Sequence, residues 1–301
     1  MSESLLVRAM RALRAAFGGP AETAVTGLDD AAIDEEAEEL LPAIRAHLTA
    51  MARPSIALEV RIGEAVDPGP TSSIGGSPSI RPGADWPLDP DGRPMVFLAQ
   101  LAFADLPDLP GYPTSGLLSF FVEETNHFGL FRRPPESGFH VRFEARTDGL
   151  LRVEPPALPS TSPFGKALGS NGAPLIGTAA SGLPSPDCNE FAAYLQEQTE
   201  SRDVGVRDVL SEELFEWLGE ERVAPHYVGG YPAFTQNDVR EEGHAPHHDR
   251  VLLQLGWAGF GSVPDEWDVC WGDAGEATFM IAHADLEARR FEETRFSWDC
   301  A

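Results

Sequence analysis

The sequence predicts an α+β protein with an internally duplicated, mostly antiparallel β core and peripheral helices. Short apolar runs separated by glycine- and proline-rich turns predict the β core. One-sided apolar stripes in acid-rich stretches predict the helices. The duplication rests on spacing. Ile74-Gly75-Gly76-Ser77-Pro78 and Val228-Gly229-Gly230-Tyr231-Pro232 lie 154 residues apart, as do Phe97-Leu98-Ala99-Gln100-Leu101 and Val251-Leu252-Leu253-Gln254-Leu255.

The elements follow in chain order. Met1–Gly18 reads as an amphipathic helix ended by Gly18, Gly19 and Pro20. Arg8, Arg11 and Arg14 interrupt its apolar residues, which argues against a secretory signal. A second helix runs from a cap at Asp29 or Asp30 to about Met51, with Pro42 placed to kink it. A strand is expected over Ile56–Ile62, turns from Val66 to Pro94, and strands over Val96–Phe103 and Gly116–Val122. Phe139–Phe143 alternates apolar and polar residues, the period of a half-exposed strand. Residues 155–186 are dense in Pro, Gly and Ser and read as a long surface loop. Helices are expected over Asp187–Glu200 and Val206–Arg222, the latter striped by Val209, Leu210, Leu214, Trp217 and Leu218. Strands return at Val251–Leu255, Ala277–Ile281 and Phe291–Trp298.

Residues 1–55 form an N-terminal helical segment in this reading. Residues 56–301 form one domain holding two related units, about 72–122 and 226–281. Between 75 and 110 the repeat gives eight identities without a gap, including Ala104 with Ala258 and Pro110 with Pro264. A five-residue insertion then aligns Gly116–Phe120 with Gly275–Phe279. The identities mark turn glycines, a turn proline and strand positions, which dictate backbone path. A glutamine inside an apolar strand needs hydrogen-bond partners if buried. Gln100 and Gln254 are therefore expected to clasp nearby backbone, or else to face a shared ligand cleft.

The same residues resemble the YwqG-like family, a bacterial domain of unknown function. The resemblance is carried by Ser73–Pro78 with Trp86-Pro87, and by Phe97–Leu101 with Gly116–Phe121. It continues through His226–Pro232, Leu252–Leu255, Trp271–Gly275, Asp285-Leu286, Phe291 and Trp298-Asp299-Cys300. It departs from the family at Ser73, where a lysine is usual, and in the spacing of Gln236 and Asp238. The resemblance implies an α+β fold and a cytoplasmic protein, and supplies no activity or catalytic residues.

Composition bounds the function. Asp and Glu number 48 against 22 Lys and Arg, a formal charge of −26. Such a surface repels nucleic acid and anionic membranes; its acidity reads first as keeping the protein soluble, and alternatively as attracting a basic protein or peptide. Three widely spaced cysteines, Cys188, Cys270 and Cys300, fit free thiols in a reducing compartment, the cytoplasm. His244, His247, His248 and Asp249 are candidate metal ligands, but Gly243 and Pro246 place them in a turn, so no metal and no cofactor is expected. No phosphate-binding loop, nucleophile elbow or other catalytic motif is recognisable. A non-enzymatic protein- or peptide-binding module is the preferred reading, in one version an inhibitor- or immunity-like protein for a basic partner. A hydrolase with a cleft between the repeats is the alternative. Speculative ligand-binding residues are Trp86, Gln100, His226, Gln254, Trp271 and Asp273; His226 is also a candidate general base.

Overall fold

The computed structural model describes residues 30–132, 135–156, 161–199, 212–221, 224–240, 247–257 and 268–300. The helix expected over Met1–Gly18, His244, and the repeat partners Ala258 and Pro264 lie outside these residues.

Ten strands form one antiparallel sheet that curls into a nearly closed barrel. Helix α1 (Asp30–Ala50) contains Pro42 and leads into β1 (Arg53–Val60). Next come β2 (Ser73–Ile74), β3 (Ser79–Ile80), β4 (Val96–Ala102), β5 (Leu117–Val122), β6 (Phe139–Glu144) and β7 (Leu151–Arg152). Helix α2 (Lys166–Asn171) precedes β8 (Ala173–Gly182), and α3 (Asn189–Thr199) and α4 (Glu212–Glu220) follow. The chain then runs through β9 (His226–Gly229), β10 (Arg250–Gly256), β11 (Glu276–Ile281), α5 (His283–Glu287) and β12 (Arg295–Asp299).

The order across the sheet is β12-β11-β10-β9-β1-β8-β2-β4-β5-β6, while β3 and β7 form a separate pair. Each leading strand crosses over: β1 pairs with β9, and β8 pairs with β2. Residues at the 154 spacing hold like places. Ser73 faces Gln100 across β2–β4, and Tyr227 faces Gln254 across β9–β10. The ladder shifts register between Phe97 and Ala99 in β4, and between Val251 and Leu253 in β10. Gly75, Gly76, Gly229 and Gly230 all have φ between 63° and 76°, a region open to glycine at little cost.

Both glutamines are fully buried and bond within their own units. The Gln100 side-chain amide donates to the Thr71 carbonyl (2.7 Å), and its Oε1 accepts from the Ser79 N–H (2.7 Å). Gln254 donates to the Ala233 carbonyl (3.0 Å), and its Oε1 accepts from the Ala233 N–H (3.4 Å). Ser79 and Ala233 again stand at the 154 spacing. These are the backbone clasps expected. Gln100→Leu strands a buried N–H and a partly buried C=O, and is expected to cost about 2 kcal/mol in urea denaturation.

One expectation is corrected. Much of 155–186 is not loop: β8 occupies the centre of the sheet, paired with β1 from Arg53↔Gly182 to Val60↔Leu175. Its small residues hide it from periodicity, and packing demands them. A Cβ on Gly177 would lie 2.6 Å from Leu106 Cδ2 and 2.9 Å from Ile56 Cγ2.

The barrel core joins both halves. The Phe120 and Phe279 rings lie 4.9 Å apart. At the seam, Phe139 of β6 and Phe296 of β12 are 5.9 Å apart. The helices bury a second, separate cluster: Leu40, Leu41, Ile44 and Leu48 of α1 meet Phe191 and Leu195 of α3, and Leu214 and Phe215 of α4. Tyr231, from the second Gly-Gly turn, inserts among them.

Candidate functional site

The speculative ligand residues are not gathered into one cleft. Trp86 donates to the Met95 carbonyl and packs edge-on to Phe121. Trp271 is fully buried in the barrel between Phe128 and Trp298. His226 is buried in β9, and Asp273 is exposed in a turn. None of the six lines the pocket described next.

That pocket, about 210 Å³, opens where the helical cluster meets the second Gly-Gly turn. Its floor is Ser55 of β1 against Gly230. Leu183, Pro184 and Pro186 after β8 form one wall, and Phe215, Leu218 and Gly219 of α4 another. Tyr231, Ala233 and Phe234 complete the apolar lining. Among the described residues, the charged lining is Asp187, Glu221 and Glu276, with no lysine or arginine. Ser55 is 2% exposed, and its hydroxyl has no hydrogen-bond partner among the described residues.

The turn that builds this site is tied down on both sides. Tyr227 donates its hydroxyl to the Tyr231 carbonyl (2.8 Å), and Tyr231 donates to the Met51 carbonyl (2.8 Å). The Arg53 guanidinium stacks on the Tyr231 ring at 3.8 Å, as a cation over an aromatic face. Behind it, Arg240 bridges Asp238 and Glu190. Burial disfavours the Arg240 charge, but its bonds to the two carboxylates hold it protonated beyond the ordinary guanidinium value.

The sequence matches, over residues 72–300, the family described as a domain of unknown function (DUF1963). The chain belongs to that family. No curated protein matches it. The DUF1963 match begins after β1, so the pocket takes Ser55 from outside the matched stretch.

Two other acidic features lie within the DUF1963 match. Asp89, Asp91 and Glu123 bring carboxylate oxygens within 4.8 Å of one another, as metal ligands would be. Arg93 and Arg132 already bridge them, and hydrogen bonding to Arg132 holds the Asp91 carboxyl below the usual range. Of the histidine group, His247, His248 and Asp249 are described. The His248 ring contacts the Glu293 carbonyl, and Asp249 pairs with Arg250.

Asp299 is the second feature. Burial pushes its carboxyl up to about 6, with Glu276 adding to the rise against N–H bonds from Thr235 and Gln236. The folded state thus binds a proton that the unfolded state releases near pH 4. This group's stabilisation is present at low pH and fades as pH rises through about 6. Asp299→Asn should therefore flatten the decline in stability between pH 5 and pH 8 by on the order of 1 kcal/mol. Thermal melts of both proteins across that range measure it; parallel curves would remove Asp299 as the titrating group.

The signals for the pocket lay where the two similar stretches of sequence differ. Glu276 stands opposite Leu117 in the alignment, and Tyr231 opposite Ser77. Leu218 belongs to the α4 stripe. Ser55 carries no such mark.

Proposed function

We propose that this chain is a non-enzymatic binding module that holds a basic, partly apolar peptide segment of a partner protein in the Ser55–Glu276 pocket. The observation that carries this reading is the lining: three carboxylates and, among the described residues, no lysine or arginine on mostly apolar walls, in a protein of net charge −26. Apolar walls bind by excluding water, and carboxylates add charge selectivity and steering. Pockets that fix ligands combine such walls with a few placed polar groups. A hydrolase reading finds no comparable support, because Gln100 and Gln254, which would line its cleft, are fully buried and bonded within their own units.

Gly219 supplies the test. A Cβ at this helical position meets nothing within 4 Å, so a larger side chain enters open space beside the pocket. Gly219→Trp is expected to keep the melting temperature and block the site. An array of capped decapeptides, matched in hydrophobicity and differing in charge, should show the wild-type protein retaining basic members in a salt-sensitive way. Gly219→Trp should lose them. Equal retention of acidic and basic members, or binding indifferent to Gly219→Trp, would remove this reading.

The architecture has an origin in this proposal too. We read the units 72–122 and 226–281 as copies from an internal duplication, within a YwqG-like domain of a cytoplasmic protein whose N-terminal helical segment packs on the core. The shared register at Gln100 and Gln254, the matching irregularities in β4 and β10, and a strand order of the same kind from either end support the duplication.

A further inference from the structure

The ground in the first unit that corresponds to the pocket is filled from within the chain. Tyr231 and Ala233 line the pocket; Ser77 and Ser79 hold their places in the first unit, at the 154 spacing. Ser55 corresponds to Gly172, because β1 lies on β9 with Ile56↔Val228 as β8 lies on β2 with Ala173↔Ile74. The wall after β8, at Pro184, corresponds to the stretch after β1 around Asp67. Into this ground the strand β7 brings one cation. Arg152 donates from Nη1 to the Ser77 carbonyl (2.5 Å) and from Nε to the Asp67 carbonyl (2.8 Å). Its strand pairs with β3, Ser79↔Arg152 and Ile80↔Leu151, and Val153 N–H donates to the Pro78 carbonyl. Leu150 packs on Ala102 and Leu117.

We propose that the pocket receives an arginine side chain from an extended segment of a partner protein, placed as Arg152 is placed in the first unit. This rests on the binding-module reading and names the group it recognises. The second unit keeps the turn, the clasping glutamine and the sheet position, and differs in what an incoming arginine needs. Asp187, Glu221 and Glu276 answer the charge. The Ser55 hydroxyl, buried without a partner among the described residues, offers an acceptor at the floor. Phe215, Leu218 and Tyr231 cover a methylene stem and give the planar guanidinium aromatic faces. A guanidinium presents five donors in a fixed fork, which a lysine ammonium does not reproduce.

The test is calorimetric titration of the full-length protein with a capped peptide of the chain's own Leu150–Glu154 sequence, Leu-Leu-Arg-Val-Glu. Versions carrying Arg152→Lys and Arg152→Ala, and free arginine amide, are titrated alongside. The arginine peptide should bind, the lysine version at least tenfold more weakly, and the alanine version undetectably. Glu276→Gln should weaken binding about tenfold and make it less salt-sensitive. Because Glu276 also bonds Gln254 (2.9 Å), the fold-neutral Gly219→Trp serves as the independent block and should abolish binding. Equal binding of the arginine and lysine peptides would overturn the arginine assignment while leaving a basic-peptide module standing. Arginine amide binding as tightly as the peptide would overturn the extended-segment source. No binding of the arginine peptide, while array members bind in a Gly219→Trp-sensitive way, would overturn this proposal and spare the broader one.

Discussion

Gly75→Ala is expected to destabilise the protein by about 4 kcal/mol, read as a lowered midpoint of urea denaturation with the slope preserved. Two costs combine. Gly75 has φ 63°, where an L side chain costs about 1–2 kcal/mol. A Cβ there would also stand 2.2 Å from the Leu168 carbonyl oxygen, nearer than any real contact. That oxygen is held by α2, where it accepts from the Gly172 N–H, so relief requires moving backbone and adds about 1–3 kcal/mol. Gly83→Ala separates the two costs. Its φ is 82° with nothing within 4 Å of an added Cβ, so only the conformational penalty of about 1 kcal/mol should appear. Similar losses from both substitutions would show that close approach of the first Gly-Gly turn to α2 is not what demands glycine.

Arg240→Ala is expected to cost about 3–5 kcal/mol. The side chains of Arg240 and Asp238 are 6% and 1% exposed, and Glu190 is mostly buried beside them. Removing the guanidinium leaves two carboxylates sharing a poorly solvated space, with Arg53 at 3.7 Å from Glu190 as a remaining cation. Burial and mutual repulsion then raise the carboxyl values. The variant should therefore recover part of its stability on acidification toward pH 5, whereas wild type has no such gain from this pair. Adding Asp238→Asn should recover part of the loss at neutral pH by removing one stranded charge. A loss under 1 kcal/mol, or no recovery in the double variant, would show that the network is solvated and only peripheral to stability.

What the sequence made legible follows from where each signal arises. The turn glycines, the clasping glutamines and the strands flanking them were readable because backbone path and buried polar satisfaction restrict residue type sharply. Strand β8 was not, since its identity comes from what packs against it: Gly177 is small to admit Leu106 and Ile56, and small residues in a row read locally as loop. The pocket was not legible. Trp86 and Trp271 drew attention as large aromatics beside polar groups, yet each serves packing, because such rings bury most area in cores. The residues that do line the pocket come from β1, the β8–α3 connection, α4, the second turn and β11, which no local pattern unites. The two similar stretches differ there, Leu117 against Glu276 and Ser77 against Tyr231, a contrast that the sequence reading did not use.

The crossing of the leading strands has a consequence for the nascent chain. Ser55 of β1 pairs with Gly229 of β9 and Ala180 of β8, far downstream of its own synthesis. At about 5–20 residues per second, β1 waits on the order of ten seconds or more on the ribosome before β9 exists to pair with it. Ile56 and Leu58, both 2% exposed in the finished sheet, face water or a chaperone at least until β8 is made to pair with them. The first unit waits too, because β2 leans on β8, which is made about a hundred residues later. Slowing elongation between β1 and β8 lengthens the period during which an unpaired apolar strand is open to misassembly.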